Sequence, residues 1–259
     1  MEYLIMNIGL NKNKSIGKVL FIVEGAKTEP YLLGKIFTEV FDYQMEQLLR
    51  NKRYRKYNSK SNRNSQVFVI NAEESNIRFI KMDNEYLNNM FRTLIEDYDF
   101  NIDNAAIYYL FDRDNMSNTD TDIIRSLLSE LTNARDNPNC LRQGLLLLSY
   151  PSIESFSLSS FLNNSFESKF STGKELKQFL HEQNINNQNL IDDTICTAVT
   201  EMLNAFSKIG VSDFDIDDFE STNSTIFNYE ENVFSTEKLY RALSLVCISL
   251  LDLGLIELA

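Results

Sequence analysis

A single histidine, His181, serves the whole 259-residue chain. Ser-His-Asp and Cys-His catalytic arrangements and multi-histidine metal sites are therefore excluded, and any chemistry falls to carboxylates, lysines or arginines. The three cysteines, Cys140, Cys196 and Cys247, are far apart and unpaired in spacing. That argues against a disulfide framework or a cysteine zinc site, and for a reducing, cytoplasmic home. No stretch approaches the roughly 18 uninterrupted apolar residues of a membrane span. The nearest, LSLVCISLLDLGLIELA, is broken by Asp252 and Glu257 and reads as a buried or partner-facing helix. The opening MEYLIMNIGLNKNKS places its apolar part before its lysines, the wrong order for a signal peptide. Positive charge is scarce too, with 25 Lys and Arg against 37 Asp and Glu and a net charge of −12. This argues against a general nucleic-acid coat protein but not against an enzyme with a local basic groove.

Hydrophobic residues make up 43% of the chain, enough for a sizeable core. Continuously apolar runs predict buried strands at 18–23, 66–70, 105–111 and 144–149. A helix is expected from Glu29 to about Leu49, with Thr28 as cap and Pro30 in its first turn. A second is expected from about Ile77 to Tyr98. A third follows 105–111, capped by Thr119, Asp120 or Thr121. Strands alternating with helices predict an α/β fold, a parallel sheet of about four strands flanked by helices, over residues 16–156. Residues 157–259 read as a mostly α-helical C-terminal region.

In parallel sheets, ligands gather at the carboxyl ends of the strands. Three predicted strands deliver acids there: Glu24, the pair Asp112 and Asp114, and Glu154 a few residues past its strand, with Glu29 close to the first. Such acids commonly serve as caps and turn formers. Clustered carboxylates also repel one another, and Mg²⁺ takes oxygen ligands, often one or two carboxylates plus waters and phosphates. Gly25 would let a phosphate approach the backbone, and the helix start at Thr28 would offer N–H groups to an anion.

With FIVEGAKTEPYLL and IYYLFDRD on one sheet, the sequence resembles the Toprim superfamily, the fold shared by DnaG-type primases, topoisomerases and OLD-family nucleases. The pattern VEGAKTEPY, FDRD, SYPSIESF is most similar to RloB-like and OLD-like antiphage defence proteins of bacteria, with Tyr150-Pro151 where those have Asn-Pro. The resemblance covers roughly residues 16–156. It implies Mg²⁺- or Mn²⁺-dependent phosphodiester cleavage. Glu24 would be ligand or general base, Asp112 and Asp114 would hold the ion, and Glu29 and Glu154 would be further ligand candidates. Lys27 or Arg113 would neutralise phosphate charge, unless each is simply a surface charge.

RNKRYRKYNSKSNRNS, residues 50–65, contains no acid and interleaves Tyr54 and Tyr57 with cations that include Arg53, Arg55 and Lys56. It reads either as a solvated loop or as a contact for single strands or RNA, cations for phosphates and rings for bases. DFDIDDFE imitates a calcium loop but lacks its glycine and its twelfth-position glutamate, so an acidic turn is expected. Residues 201–237 hold nine acids and one lysine, a surface that would repel nucleic acid or face a basic partner.

The leading functional expectation is therefore a metal-dependent nuclease acting on RNA (including tRNA) or DNA in antiphage defence. A host-safe nuclease would need a silencing protein partner, such as an ATPase, and a homo-oligomer is compatible. The alternatives are a non-catalytic interaction module and a sensor binding a small nucleotide at the same acids. Primase and topoisomerase activities are disfavoured by the absence of zinc-ribbon cysteines and by the chain's length.

Overall fold

Four uninterrupted apolar runs form the centre of the sheet. In the computed structural model, residues 7–46, 54–72, 77–78, 80, 84–135, 143–186 and 189–258 are described. Within them, β2 (Lys18–Val23), β5 (Gln66–Asn71), β6 (Ala105–Asp112) and β8 (Gly144–Tyr150) lie parallel in the order β8-β6-β2-β5. Their side chains are buried on both faces, which is why they read as continuous rather than alternating apolar runs. The fold is thus mixed α/β, with a mostly parallel central sheet flanked by helices. No helix among the described residues is long and apolar enough to cross a membrane.

Antiparallel strands extend both edges. On one side β4 (Tyr54–Ser59) pairs with β5, and β3 (Tyr43–Glu46) pairs with β4. On the other, β7 (Thr132–Asn133) and β11 (Leu243–Ser244) pair with β8. The first helix is consequently shorter than expected. Helix α1 (Thr28–Lys35) gives way to a π turn at Ile36–Val40, and Asp42 turns the chain with φ of 57° into β3. Asp tolerates this left-handed conformation, so the helix ends without the glycine or proline that would have signalled it. Lys27, not Thr28, occupies the N-cap position, without a side-chain cap bond.

Helix α2 is described over Asn84–Tyr98, with Arg78 and Ile80 also helical and residues 79 and 81–83 outside the described residues. Helix α3 (Thr121–Glu130) is capped by Asp120, whose carboxylate accepts from Ile123 N. The C-terminal part is mostly helical: α4 (Glu154–Phe161), α5 (Gly173–Glu182), α6 (Asp192–Ile209), α7 (Glu220–Glu237) and α8 (Val246–Asp252). It also carries strands too short to show a period. β9 (Lys169–Phe170) pairs with β10 (Tyr240–Arg241), and β12 (Ile256–Leu258) pairs with β1 (Ile8–Leu10). One buried cluster runs from Val19 through Phe206 and Ile248 to Ile256, so α4, α6, α7 and α8 share the core of the sheet. Leu176 and Leu180 of α5 pack instead in a second cluster with Leu158, Phe170 and Ala242. The apolar C-terminal stretch is split between β11, α8 and β12 rather than forming one helix, and its apolar residues from Leu243 to Ile256 are buried within the chain.

Inside α7, Glu230 is wholly buried and accepts Arg241 N at 3.0 Å. Burial raises its carboxyl from 4.5 to about 8, against the opposing pull of that N–H and of the Arg241 guanidinium. A folded value above the unfolded one means that the native state holds a proton the unfolded chain has released between pH 4.5 and 8. Stability should therefore fall across that window, by up to about 1.4 kcal/mol per pH unit from this group. Glu230→Gln should remove its part of the slope and be the more stable protein at pH 8. Denaturant titrations of both proteins at pH 5 and pH 8 check this.

Candidate active site

Register explains why acids collect at one edge. Val23 pairs with Leu110 of β6 and with Asn71 of β5, and Asp112 pairs with Ser149 of β8. Glu24 therefore emerges from β2 beside Asp112, and Glu154 opens α4 just after β8. Glu24, Glu29 and Glu154 are all buried, at 8%, 5% and 6% exposure, which removes them from the class of ordinary surface acids.

Each carboxylate is held by named donors. Glu24 Oε2 accepts Asp112 N at 3.0 Å and Asn118 Nδ2 at 3.1 Å. Asp112 Oδ1 accepts Ile153 N at 2.8 Å, which ties β6 to the start of α4. Glu29 Oε1 accepts Gly25 N at 2.9 Å. A Cβ on Gly25 would sit 2.7 Å from that oxygen, so a side chain here would have to push the Glu29 carboxylate aside. Glu154 Oε2 accepts Ser152 Oγ at 2.7 Å, while its Oε1 lies 3.2 Å from Lys177 Nζ.

The electrostatics couple these groups. Burial lifts Glu24 to about 7, the neighbouring Glu29 adding to it and the Asp112, Ser117 and Asn118 donors opposing it. Asp112 is driven well above the usual carboxylate range, first by burial and then by Glu24, Glu29 and Glu154. Glu29 is also raised, mainly by burial, with Glu154 contributing. Lys177 is largely exposed, and although partial burial pulls its ammonium down, Glu154, Asp112 and Glu29 hold it above its ordinary value.

Asp114 stands apart from this group. The strand stops at Asp112, so the two aspartates do not share a face. Asp114 Oδ1 instead accepts Met116 N at 2.8 Å within the following turn, and Oδ2 lies 3.4 Å from Gly173 N at the start of α5.

Arg113 is neither a surface charge nor a free phosphate ligand. Its guanidinium is 2% exposed, with Nη2 donating to Glu231 Oε2 at 2.9 Å and Nε 2.8 Å from Oε1. Nη1 donates to Asn118 O at 2.6 Å, and the rings of Phe227 and Tyr240 lie against it. The alternation that directs Asp112 towards Glu24 directs Arg113 towards α7. Lys27 is exposed, beside Thr28. The Gly25 N–H at this helix start is already taken by the Glu29 carboxylate, so less of it is open to an anion than the sequence suggested.

The basic segment departs most from expectation. Tyr54 and Tyr57 are 6% and 1% exposed and point to opposite faces of β4. Tyr54 packs on Tyr98 with centroids 4.9 Å apart, and Tyr57 on Phe37 at 6.4 Å, its hydroxyl donating to Pro30 O. Both rings are core and cannot stack on bases. Lys56 pairs with Glu46 at 2.9 Å and lies away from the carboxylates, and Arg55 sits on the same strand. Arg53 lies outside the described residues.

Sequence reasoning missed Asn118 and Lys177. Asn118 is buried, its Nδ2 binding Glu24 and the Asp112 carbonyl while its Oδ1 accepts Ile77 N at 2.9 Å. Lys177 reaches the acids from α5, beyond the segment in which the motifs lie. Neither carries a local pattern that marks it. The acidic turn at 213–217 is as expected, Asp213 and Asp215 accepting nearby backbone N–H groups, and His181 is exposed on α5.

Among the described residues no three carboxylate, histidine or cysteine side chains converge as a ready-made metal cage. The donors nevertheless suit a hard cation. They are all oxygen, they crowd at one strand edge, and their mutual repulsion is relieved by Lys177 rather than by a matching set of cations. Comparison with protein-family models, with curated proteins and with solved structures gives no match to this chain.

Proposed function

We propose that the chain is a Toprim-type, Mg²⁺- or Mn²⁺-dependent endonuclease of the cytoplasm, an effector of bacterial antiphage defence that cleaves RNA (tRNA included) or DNA. One observation carries the reading: buried Glu24 and half-buried Asp112, acids from two adjacent parallel strands, come together at the carboxyl edge. There the Asp112 N–H holds the Glu24 carboxylate, and the Glu24 charge pushes the Asp112 carboxyl up. Such paired, desolvated carboxylates mark sites of chemistry more often than sites of structure.

Glu24 and Asp112 would hold the cation, with Glu29 and Glu154 at the same edge as further oxygen donors, while Asp114 would have to leave its turn to join them. Once bound, a divalent ion there supplies charge stabilisation for the phosphodiester and a more acidic water. Mg²⁺ needs only one or two protein carboxylates, so the absence of a three-acid cage is compatible with this role. The protein's own part is positional. Asn118 and the Asp112 N–H fix the Glu24 carboxylate, and the Ile153 N–H fixes Asp112. Glu24 would also accept a proton from an attacking water or hydroxyl. Lys177 brings a cation to the edge at which phosphate charge would develop.

The test is cleavage of total tRNA, single-stranded RNA and plasmid DNA in Mg²⁺, Mn²⁺ or EDTA. Cleavage of one class, dependent on metal, is expected. Metal-independent cleavage, or none of any substrate, would contradict the reading. Gly25→Ala should leave stability within about 1 kcal/mol, because the atoms in the way are the far end of the Glu29 side chain, which can turn aside from the new methyl. It should nonetheless weaken Mn²⁺ binding severalfold by displacing Glu29, which calorimetry would show.

A further inference from the structure

At the opposite end of the same strands lies a cleft of about 560 Å³ with a different character. Its walls include Lys18 at the start of β2, Gln66 at the start of β5, Lys56 on β4, Arg63, and Tyr98 at the end of α2. Six residues of β2, at about 3.3 Å each, place it some 15–20 Å from Glu24. None of the acids at the strand tips lines it.

Lys18 is half-buried, its ammonium 5.5 Å from the centre of the Phe100 ring, and Lys56 lies similarly over Phe68 at 5.8 Å. Phe68 and Phe100 touch, at 4.5 Å between centroids, so the two lysines share one aromatic floor. Lys56 is matched by Glu46. Among the described residues, Lys18 and Arg63 have no carboxylate within ion-pair distance, in a chain of net charge −12. A partly desolvated ammonium and a neighbouring guanidinium without counter-ions favour an anion.

We propose that this cleft binds a mononucleotide unit, its phosphate held by Lys18 and Arg63. The volume is that of a small-molecule site. Side-chain amides at Asn64, Gln66 and Asn104 offer paired donors and acceptors of the kind that base edges require, and Asn101, whose oxygen accepts Asp103 N, adds a donor. Asp99 on the same wall opposes a second or third phosphate and is placed to accept from a ribose hydroxyl. A monophosphate is therefore preferred to a triphosphate. The unit is either a free nucleotide or the phosphorylated end of a strand. The inference does not depend on the chemistry of the strand tips, and its test is run in EDTA to keep the two separate.

The experiment is calorimetric titration of the full chain with nucleoside 5′-monophosphates, inorganic phosphate, and matched oligonucleotides bearing a 5′-phosphate or 5′-hydroxyl. Lys18→Met and Arg63→Met are the test variants, and Lys12→Met, a surface change of equal charge on the Asp192 ion pair, is the control. Saturable one-to-one binding is expected, tighter than for phosphate alone, weakened at least tenfold by either test variant and unchanged by the control. Tighter binding of the 5′-phosphorylated oligonucleotide than of the free nucleotide identifies a strand end, and the reverse identifies a free ligand. Absence of saturable binding, or equal weakening by Lys12→Met, overturns the proposal. So does undiminished binding in test variants that melt as the wild type does.

Discussion

Glu24→Gln and Asp112→Asn should each make the metal-free protein more stable while abolishing cleavage. Both side chains are desolvated, and each is pushed further from its ordinary ionisation by acids that it faces. A neutral amide of the same shape removes that repulsion and keeps an acceptor oxygen for the Asp112 or Ile153 N–H. Relief of this kind is expected to be worth roughly 0.5–2 kcal/mol. Loss of a positioned base and cation ligand should cost 10³-fold or more in rate, at the upper range for general base catalysis alone. Thermal melting in EDTA, paired with the cleavage assay, reads both effects. A fall in stability of several kcal/mol would instead make these acids structural, valued for the N–H groups they satisfy.

The second large effect is expected far from the acids, at Glu231. Arg113 is fully buried and faces the Glu231 carboxylate with two nitrogens, so Glu231→Ala leaves a guanidinium inside the protein with no counter-charge. Removing one partner of such a pair typically costs about 3–5 kcal/mol, whereas replacing both by apolar residues is often neutral. Arg113→Met with Glu231→Leu should thus recover most of the stability lost by Glu231→Ala alone. Arg113 also donates to the carbonyl of Asn118, the residue that holds Glu24. Activity of the double variant should remain impaired after stability is restored, which denaturant titration and cleavage rates together would show. Full recovery of both would confine Arg113 to a structural role.

The central strands were legible because burial on both faces leaves no polar alternation to confuse the reading. Each predicted run falls within one residue of the observed element. Glu24 and Asp112 were legible for the same reason, as acids standing where a buried run stops. The edge strand β4 was not, because YRKYNS carries only two large apolar bodies, both tyrosines, and its cations lie along the flank. Those rings were read as exposed because they sit among charges, yet tertiary packing against Tyr98 and Phe37 claims them. Arg113 was misjudged in the same way. Its partner lies 118 residues away on α7, and no local pattern announces a long-range ion pair.

The measurement that bears most directly on this account is calorimetric titration of Mn²⁺ into the wild-type chain and the Glu24→Gln, Asp112→Asn double variant. The account predicts saturable binding with a rise in melting temperature for the wild type. The double variant should show neither, while melting in EDTA at or above the wild-type temperature. Undiminished Mn²⁺ binding by the double variant, or no binding by the wild type, would contradict a cation site at the strand tips.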